Sequence, residues 1–542
     1  MNIEKSLVFI DENTDEFINN EAIYVTFTKI FYKKVKRKYN CKYFFDITYK
    51  NNLGRFISNL EKSLNDESKS NNCKRWIFLT YKFIYKYFIA YDQFYQRIDL
   101  LLKENTNIKL VKISINSPII IREAISALSN KYAIDVEYTI NDFSGFSDYS
   151  SHMPIDLPRK SEIDKTNIFV DIIGAILRLK SHKTFMLPCL LDKKLPKGVS
   201  LFKIRYFSLV SKIVSIIPSL SKSKYTNKIS YINFSRFEEN KIKLDFNLWK
   251  DFDNHEINFI EKIINCFYKE FDNSYLDLIH DKISRMIKRS DTKKIIIDET
   301  NDVLKRMLMV SANQNNIEIE FLPHGLICED EHIYAIKTIA PKVRVLSWNH
   351  NSSNYFKNQN IISSTITYPL KIDSNAKNTQ KDILILVSGN RESLNNFERI
   401  ISTLYIDLIQ KNYTVDCKYH NIINKDEISI ITKQCKKIEE NYNININIIE
   451  NSQSFTNVAG NYKKLIFTTW STGIYEASII GIPFIIYTNE NFNIHAFDNI
   501  RLPIARNISD CISFIENDEN IYLKDIQESI SNNANLYQYL AK

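Results

Sequence analysis

The sequence predicts an α/β protein made of doubly wound parallel sheets, and three observations carry that prediction. Strand-like apolar runs alternate with helix-length amphipathic stretches from residue 110 to 140 and again from 290 to 490. The clearest unit, Leu465 to Thr488, reads strand, tight turn, short helix, glycine stop, strand. At 542 residues and 44% hydrophobic content, the chain is too long for one core and amply supplied for two.

Taken in order, Ser6–Ile10 and Ile23–Thr28 are short strand candidates, and residues 29–105 read as mostly helical, basic and aromatic. Leu110–Asn116, Pro118–Lys131 and Ile134–Ile140 form a β-α-β unit. The polar loop after it, from Asn141 to Asp156, has the length of a functional loop and contains Asp142. Residues 160–290 read as helix-rich insertions. A second β-α-β unit follows: strand Lys294–Asp298, helix Glu299–Gln314, and strand Ile317–Leu322 ending in Pro323-His324-Gly325. Val343–Trp348 is a strand leading into a helix capped by Ser352 or Ser353, and the segment Ile361–Lys381, which ends in polar residues, reads as the interdomain linker.

The pattern restarts at Asp382. A strand ends at Ser388-Gly389, Glu392–Gln410 is a helix, and strand Thr414–Tyr419 ends in His420-Asn421. Helix Asp426–Tyr442, strand Ile444–Ile449 and helix Ser452–Asn461 lead to the 465–488 unit, and Gln527–Leu540 is a last helix. The expected organisation is 1–370, 382–515 and a helical tail, 516–542.

Within the 465–488 unit, Ser471 and Thr472 are residue types that cap helices, and Gly473 permits close approach to the backbone. Ile474, Ala477 and Ile480 recur at helical spacing, Gly481 sits where a C-cap glycine belongs, and Pro483 stops the helix. A helix start at a strand's carboxyl edge suits a phosphate. Glu476 lies one or two positions too late for a capping box, so it either faces the crevice or complements the helix dipole.

Ser471-Thr472-Gly473-x-x-Glu476-Ala477, followed by Gly481-Ile482-Pro483 and an apolar strand, resembles the donor-nucleotide segment of GT-B glycosyltransferases, above all those building bacterial capsule and lipopolysaccharide. The resemblance implies two Rossmann-like domains facing a cleft, the N-terminal one carrying helical insertions and binding the acceptor. It also implies that Ser471, Thr472 and the helix start hold the donor's phosphate while Glu476 holds its ribose. UDP-sugar 2-epimerases carry a similar motif. His324, followed about twenty residues later by a strand and Trp348-x-x-x-Ser352, resembles the N-terminal-domain pattern of the same transferases. A histidine there suits a general base or a group polarising a phosphate or sugar oxygen. His420 at a C-domain strand end resembles transferases using cytidine nucleotides, although Asn421 stands where they usually have proline.

An inverting transfer needs a carboxylate to deprotonate the acceptor, and Glu299 and Asp142 are the two candidates. Ser388 and Gly389 are added to the donor set because they follow the first C-domain strand. Asp251-Phe252-Asp253 has the form of a manganese motif, but it falls in a charged helical stretch and reads as chance.

Composition narrows the rest. A net charge of +9 is modest for this length and comes with no nucleic-acid-binding motif. Eight cysteines without CxxC pairs argue for reduced thiols in a cytoplasm and against zinc. The start of the chain lacks a signal-peptide pattern, and no run of about 18 apolar residues suits a membrane span. Trp76–Tyr91 and Leu201–Lys224 are aromatic-basic stretches that suit either packed helices or contact with the inner membrane's cytoplasmic face.

The expectation is therefore a cytoplasmic, metal-independent glycosyltransferase with no cofactor. It would move a sugar from a nucleotide donor to a growing bacterial glycan or glycolipid, with a cytidine donor (sialic-acid-like, Kdo-like or CDP-glycerol) ahead of a UDP-sugar. The alternatives are a UDP-sugar transferase, a UDP-sugar 2-epimerase, and a non-catalytic scaffold of polysaccharide export.

Overall fold

In the computed structural model, three parallel sheets account for all but two of the described strands. The structure describes residues 5–10, 21–27, 29–47, 81–139, 243–270, 293–297, 300, 303–323, 333–367, 381–388, 391–419, 425–449, 455–488, 495–517 and 521–530. It also describes short pieces at 152–155, 184–186, 199–201 and 230–233 and scattered helical residues within 59–66 and 277–288.

The first sheet comprises β1 (Lys5–Phe9), β2 (Ala22–Thr26), β3 (Cys41–Tyr43), β4 (Ile108–Ser114) and β5 (Asp135–Thr139), in the order β3-β2-β1-β4-β5. Its helices are α1 (Lys29–Val35), α2 (Tyr81–Glu104) and α3 (Ile119–Tyr132). Cys41–Tyr43 is a strand inside a stretch whose composition reads as helical. Its Tyr24–Cys41 pairing to β2 is non-local, so composition does not reveal it. The described part of the Trp76–Tyr91 stretch belongs to α2, where Ile84, Tyr87, Phe88 and Tyr91 are buried; they line the core rather than a surface.

β6 (His152–Ile155) pairs antiparallel with a later strand, β9 (Ser230–Asn233). Between them, β7 (Thr184–Met186) and β8 (Val199–Leu201) belong to the second sheet. That sheet is completed by β10 (Lys294–Ile297), β11 (Glu318–Phe321), β12 (Arg344–Ser347) and β13 (Ile362–Thr365). Residues 184–186 and 199–201 are thus sheet, not helical insertion. Ile362–Thr365 is an edge strand beside β12, not linker, and its exposed Ile362 shows why the alternation reads weakly. The helices are α4 (Asn254–Glu270), α5 (Val303–Gln314), α6 (Ile333–Ile339) and α7 (His350–Asn358). One continuous core joins the first and second sheets, with Tyr91 of α2 stacked on Phe259 of α4 at 4.1 Å. Asp253 simply caps α4: its N–H donates to Glu256 Oε2 at 2.7 Å, so the manganese-like tripeptide serves a helix start.

The third sheet contains β14 (Lys381–Val387), β15 (Val415–Tyr419), β16 (Asn447–Ile449), β17 (Tyr462–Phe467), β18 (Phe484–Tyr487) and β19 (Ile504–Ala505). Numbered from its own first strand, its order is 3-2-1-4-5-6, the Rossmann order, which reverses between β14 and β17. Around it lie α8 (Arg391–Ile400), a π-helical turn (Ile401–Tyr405), α9 (Ile406–Gln410), α10 (Lys425–Tyr442), α11 (Phe455–Ala459), α12 (Gly473–Ile480), α13 (Ile508–Glu516) and α14 (Ile521–Ser529). Separate apolar clusters cover its two faces. The second sheet, numbered the same way, runs 2-1-3-4-5-6, the flavodoxin-like order. The fold class is therefore α/β with doubly wound parallel sheets, as expected, with an additional parallel sheet inside residues 1–370.

Candidate functional site

The switch point of the third sheet lies between the carboxyl ends of β14 and β17, where an open α/β sheet leaves a crevice. Buried hydroxyls hold these two ends together. The Thr468 hydroxyl donates to the Leu386 carbonyl at 3.0 Å, so the Ser393 hydroxyl, which touches Thr468 Oγ1, is the donor in that contact. Ser393 Oγ in turn accepts the Ser388 N–H at 2.7 Å. Asn396, on the same helix, donates to the carbonyls of Thr468 and Tyr487, both at 2.9 Å, and so ties in β18. Sequence reasoning missed Ser393 and Asn396: a serine and an asparagine near a helix start look like ordinary solvent-facing polar residues.

After β17 the chain runs Thr469-Trp470-Ser471-Thr472 into α12. Thr469 Oγ1 and Trp470 Nε1 are buried and have no hydrogen-bond partner among the described residues. Thr472 has helical backbone angles and no side-chain cap; the capping is done by Ser471, whose Oγ accepts the Gly473 N–H at 3.2 Å. Ile474 and Tyr475 N–H groups bond to the carbonyls of Ser471 and Thr472 at 3.1 and 3.0 Å. The next two N–H groups towards the strand, those of Ser471 and Thr472, have no acceptor among the described residues. Thr469 and Trp470 thus each hold a buried polar atom with no partner among the described residues, a rarity inside a protein, and the half-buried Ser471 and Thr472 add two N–H groups beside them.

Gly473 has a packing role. A Cβ there would stand 2.9 Å from Cε1 of Phe467, so the helix can lie on that ring only with glycine at its start. Glu476 lies in the first turn of α12, half-buried. Gly481 ends the helix at φ 77°, as the sequence predicts.

The same helix faces the second sheet. Tyr475, buried, hydrogen-bonds Ser352 of α7, and its ring lies 5.3 Å from that of Phe497; burial pushes its phenol well above the usual range. α7 is capped by Asn349, whose Oδ1 accepts the Ser352 N–H at 2.9 Å, rather than by Ser352 or Ser353. Asn351 Nδ2 donates to the Asp498 carbonyl at 2.9 Å, and Ile530, just after α14, bridges to Asn349. Trp348 Nε1 donates to the Pro323 carbonyl at 2.6 Å, so the end of β11 is fixed beside the start of α7. The carboxyl edges of the second and third sheets therefore meet around Pro323, Trp348, Ser352 and the start of α12.

Of the residues singled out from sequence, Ser388, Ser471, Thr472, Gly473 and Glu476 share the carboxyl edge of the third sheet. Asp142, Glu299, His324, Gly389 and His420 lie outside the described residues. Five cysteines among the described residues are free and buried, and burial pushes Cys41, Cys435 and Cys511 up to about 12, far from reactive thiols. Among the described residues no group of three His, Cys, Asp or Glu could hold a metal, and no helix is long and apolar enough to cross a membrane.

Fold and edge together define a protein of parallel, doubly wound α/β sheets with a cluster of polar groups at the switch point of the third. No protein-family model and no curated protein matches the chain. Solved structures similar to it include S. aureus MnaA with UDP, at 14% identity over 49% of this chain and 78% of that one, with a TM-score of 0.35. A UDP-GlcNAc 2-epimerase from Methanocaldococcus jannaschii, in complex with UDP-GlcNAc and UDP, matches at 14% identity over 45% and 75%, TM-score 0.33. Acinetobacter baumannii MurG matches at 8% identity over 50% and 78%, TM-score 0.33. At such low overlap the similarity adds nothing to the assignment of the site.

Proposed function

We propose that this chain is a GT-B glycosyltransferase that binds a nucleotide-activated sugar at the carboxyl edge of its third sheet. The observation that carries the proposal is the run Thr469–Thr472, where the buried Thr469 Oγ1 and Trp470 Nε1 and the half-buried N–H groups of Ser471 and Thr472 have no partner among the described residues, at the point where the strand order reverses. An anionic phosphate supplies acceptors for all of them, and the positive end of α12 favours its charge. Hydroxyls and backbone N–H groups also suit the departing nucleotide, whose developing charge needs donors fixed in advance. Glu476 is proposed to accept from the ribose, one turn into the helix. His420 and Gly389, which follow β15 and β14 in sequence, complete the proposed donor set with Ser388.

The acceptor, proposed to be a growing bacterial surface glycan, would approach from the second sheet, whose edge meets α12 at the Ser352–Tyr475 contact. Glu299 and His324 follow β10 and β11 in sequence and are the proposed sources of the acceptor base, with Asp142 the other candidate. Positioning the two substrates across this junction would supply much of the rate.

Thermal shift with CMP, CDP, UDP and GDP tests the reading. A ligand at about 100 times its dissociation constant adds about 2.7 kcal/mol. Stabilisation by cytidine nucleotides supports a cytidine donor, to which the His420 resemblance points. Stabilisation by UDP alone supports a UDP-sugar transferase or 2-epimerase. No shift with any of them leaves a non-catalytic scaffold and overturns the proposal.

A further inference from the structure

The first sheet, β3-β2-β1-β4-β5, has the strand order of the third without its last strand. Its order therefore also reverses, between β1 and β4, and α3, which follows β4, begins at the carboxyl edge of that second switch point. The proposed function gives this place no task.

The start of α3 is uncapped. Its N-cap is Pro118, which has no side-chain oxygen to offer, and no acid stands in its first turn. The Ile121 and Arg122 N–H groups bond to the Pro118 carbonyl at 3.0 and 3.1 Å, but those of Ile119 and Ile120 have no acceptor among the described residues. Ser117, just before the cap, is 4% exposed, and its Oγ has no hydrogen-bond partner among the described residues. A serine oxygen lies one bond beyond Cβ, so this hydroxyl stands at the helix start whatever its rotamer. One turn on, Arg122 Nε is buried and equally unpartnered, and the guanidinium makes no ion pair among the described residues. A long helical side chain leans back over the preceding turn, which carries the guanidinium towards Ser117. Arg122 as a whole is half-buried and only its Nε is sealed, so the rest of the group is open to solvent. The neighbouring acids are committed elsewhere: Glu123 pairs with Lys262 of α4, and Glu137 of β5 with Lys112 of β4.

Buried donors left unpaired weaken a fold, and here two N–H groups, a hydroxyl and a guanidinium gather at one helix start. We propose that this start is a second anion site, separate from the one at α12, that takes the phosphate of a small phosphomonoester between Arg122, the Ser117 hydroxyl and the Ile119 and Ile120 N–H groups. The guanidinium fork matches two phosphate oxygens, and the positive end of α3 favours the remaining charge. A carboxylate has only two oxygens and satisfies fewer of these donors. Ser117 Oγ is enclosed, which favours a soluble phosphate over a lipid headgroup held in a flat surface. The assignment is independent of the nucleotide reading of the third sheet.

The test titrates inorganic phosphate, methyl phosphate and acetate into wild type, Ser117→Ala, Arg122→Lys and Arg122→Met at an ionic strength fixed with chloride, and follows the melting temperature. Both phosphates should stabilise wild type, and acetate should act more weakly. Arg122→Met should lose roughly tenfold or more in phosphate affinity, the scale of one charged contact, and Arg122→Lys and Ser117→Ala should lose less. Ligand-free Arg122→Met should melt no lower than wild type, since the guanidinium has no internal ion pair to lose. A wild type that neither phosphate stabilises overturns the assignment. Equal phosphate binding by wild type and Arg122→Met overturns it as well, because the anion then sits elsewhere, the third sheet included. Equal responses to acetate and phosphate overturn the choice of a phosphoryl group. Arg122-dependent sedimentation with phosphatidic acid vesicles, without a response to either soluble phosphate, overturns the choice of a small ligand. If Arg122→Met fails to fold, Arg122→Lys and Ser117→Ala proteins that fold and bind phosphate as wild type does overturn the site in its place.

Discussion

Arg399 of α8 meets Asp46, just beyond β3, with Nη2 3.2 Å from Oδ1, so the first sheet docks directly onto the helix that builds the third sheet's crevice. Arg399 is buried and packs over the Tyr43 ring at 5.5 Å, while the Tyr43 hydroxyl donates to Glu398 Oε2 at 3.3 Å. Lys33 Nζ donates to the Ser402 carbonyl at 2.8 Å, one turn on. Asn396, which holds the ends of β17 and β18, is on the same helix. A double-mutant cycle with Asp46→Ala and Arg399→Met should show a coupling of about 1 kcal/mol in urea unfolding, because Asp46 is half-exposed and solvent screens the pair. Strict additivity would mean that the two residues do not meet in solution.

Gly473→Ala should destabilise the protein by about 1–2 kcal/mol, the range for a forced overpacking contact. Phe467→Leu in the same chain should recover part of that loss, since the clash is with the Phe467 ring. If the alanine variant is as stable as wild type, the tight seating of α12 on β17 is wrong.

Glu476→Ala should leave the unfolding midpoint within about 0.5 kcal/mol of wild type, as for a partly exposed helix residue, while weakening nucleotide binding. Isothermal titration with the nucleotide that stabilises the protein best gives the answer. Unchanged affinity would remove Glu476 from the ribose site and leave it as a complement to the helix dipole.

Asp92, on α2, has its carboxyl raised to about 6 by burial, against the pull of a 2.7 Å hydrogen bond from Gln96. A carboxyl raised in the fold contributes its stability in full below the unfolded value near 4, and that contribution is lost as pH rises through about 6. Asp92→Asn should therefore stabilise the protein at pH 7.5, by about 1–2 kcal/mol after allowance for partial exposure, and change little at pH 4. Equal effects at the two pH values would show that Asp92 is not held in an unfavourable charged state.

The 465–488 unit was legible almost residue by residue: the strand, a helix expected from Ser471 or Thr472 and observed from Gly473, the Gly481 stop and the Phe484–Tyr487 strand are all present. Each depends on neighbours a few positions away, through side-chain periodicity, a left-handed stop and a proline. Capping was less legible. Thr472 reads as a cap but is helical, and Asn349 caps α7 although two serines follow it, since several nearby polar residues can fill the same role.

What local order could not reveal is which strands lie side by side. Cys41–Tyr43, Thr184–Met186 and Ile362–Thr365 are too short to announce themselves, and each becomes a strand through a partner elsewhere in the chain. The composition of residues 465–488 supplied a helix with a glycine at its start. The need for that glycine comes from the Phe467 ring. Periodicity is written within one segment, whereas register, burial and the meeting of two sheet edges arise when distant segments pack, and the crevice exists only at that level.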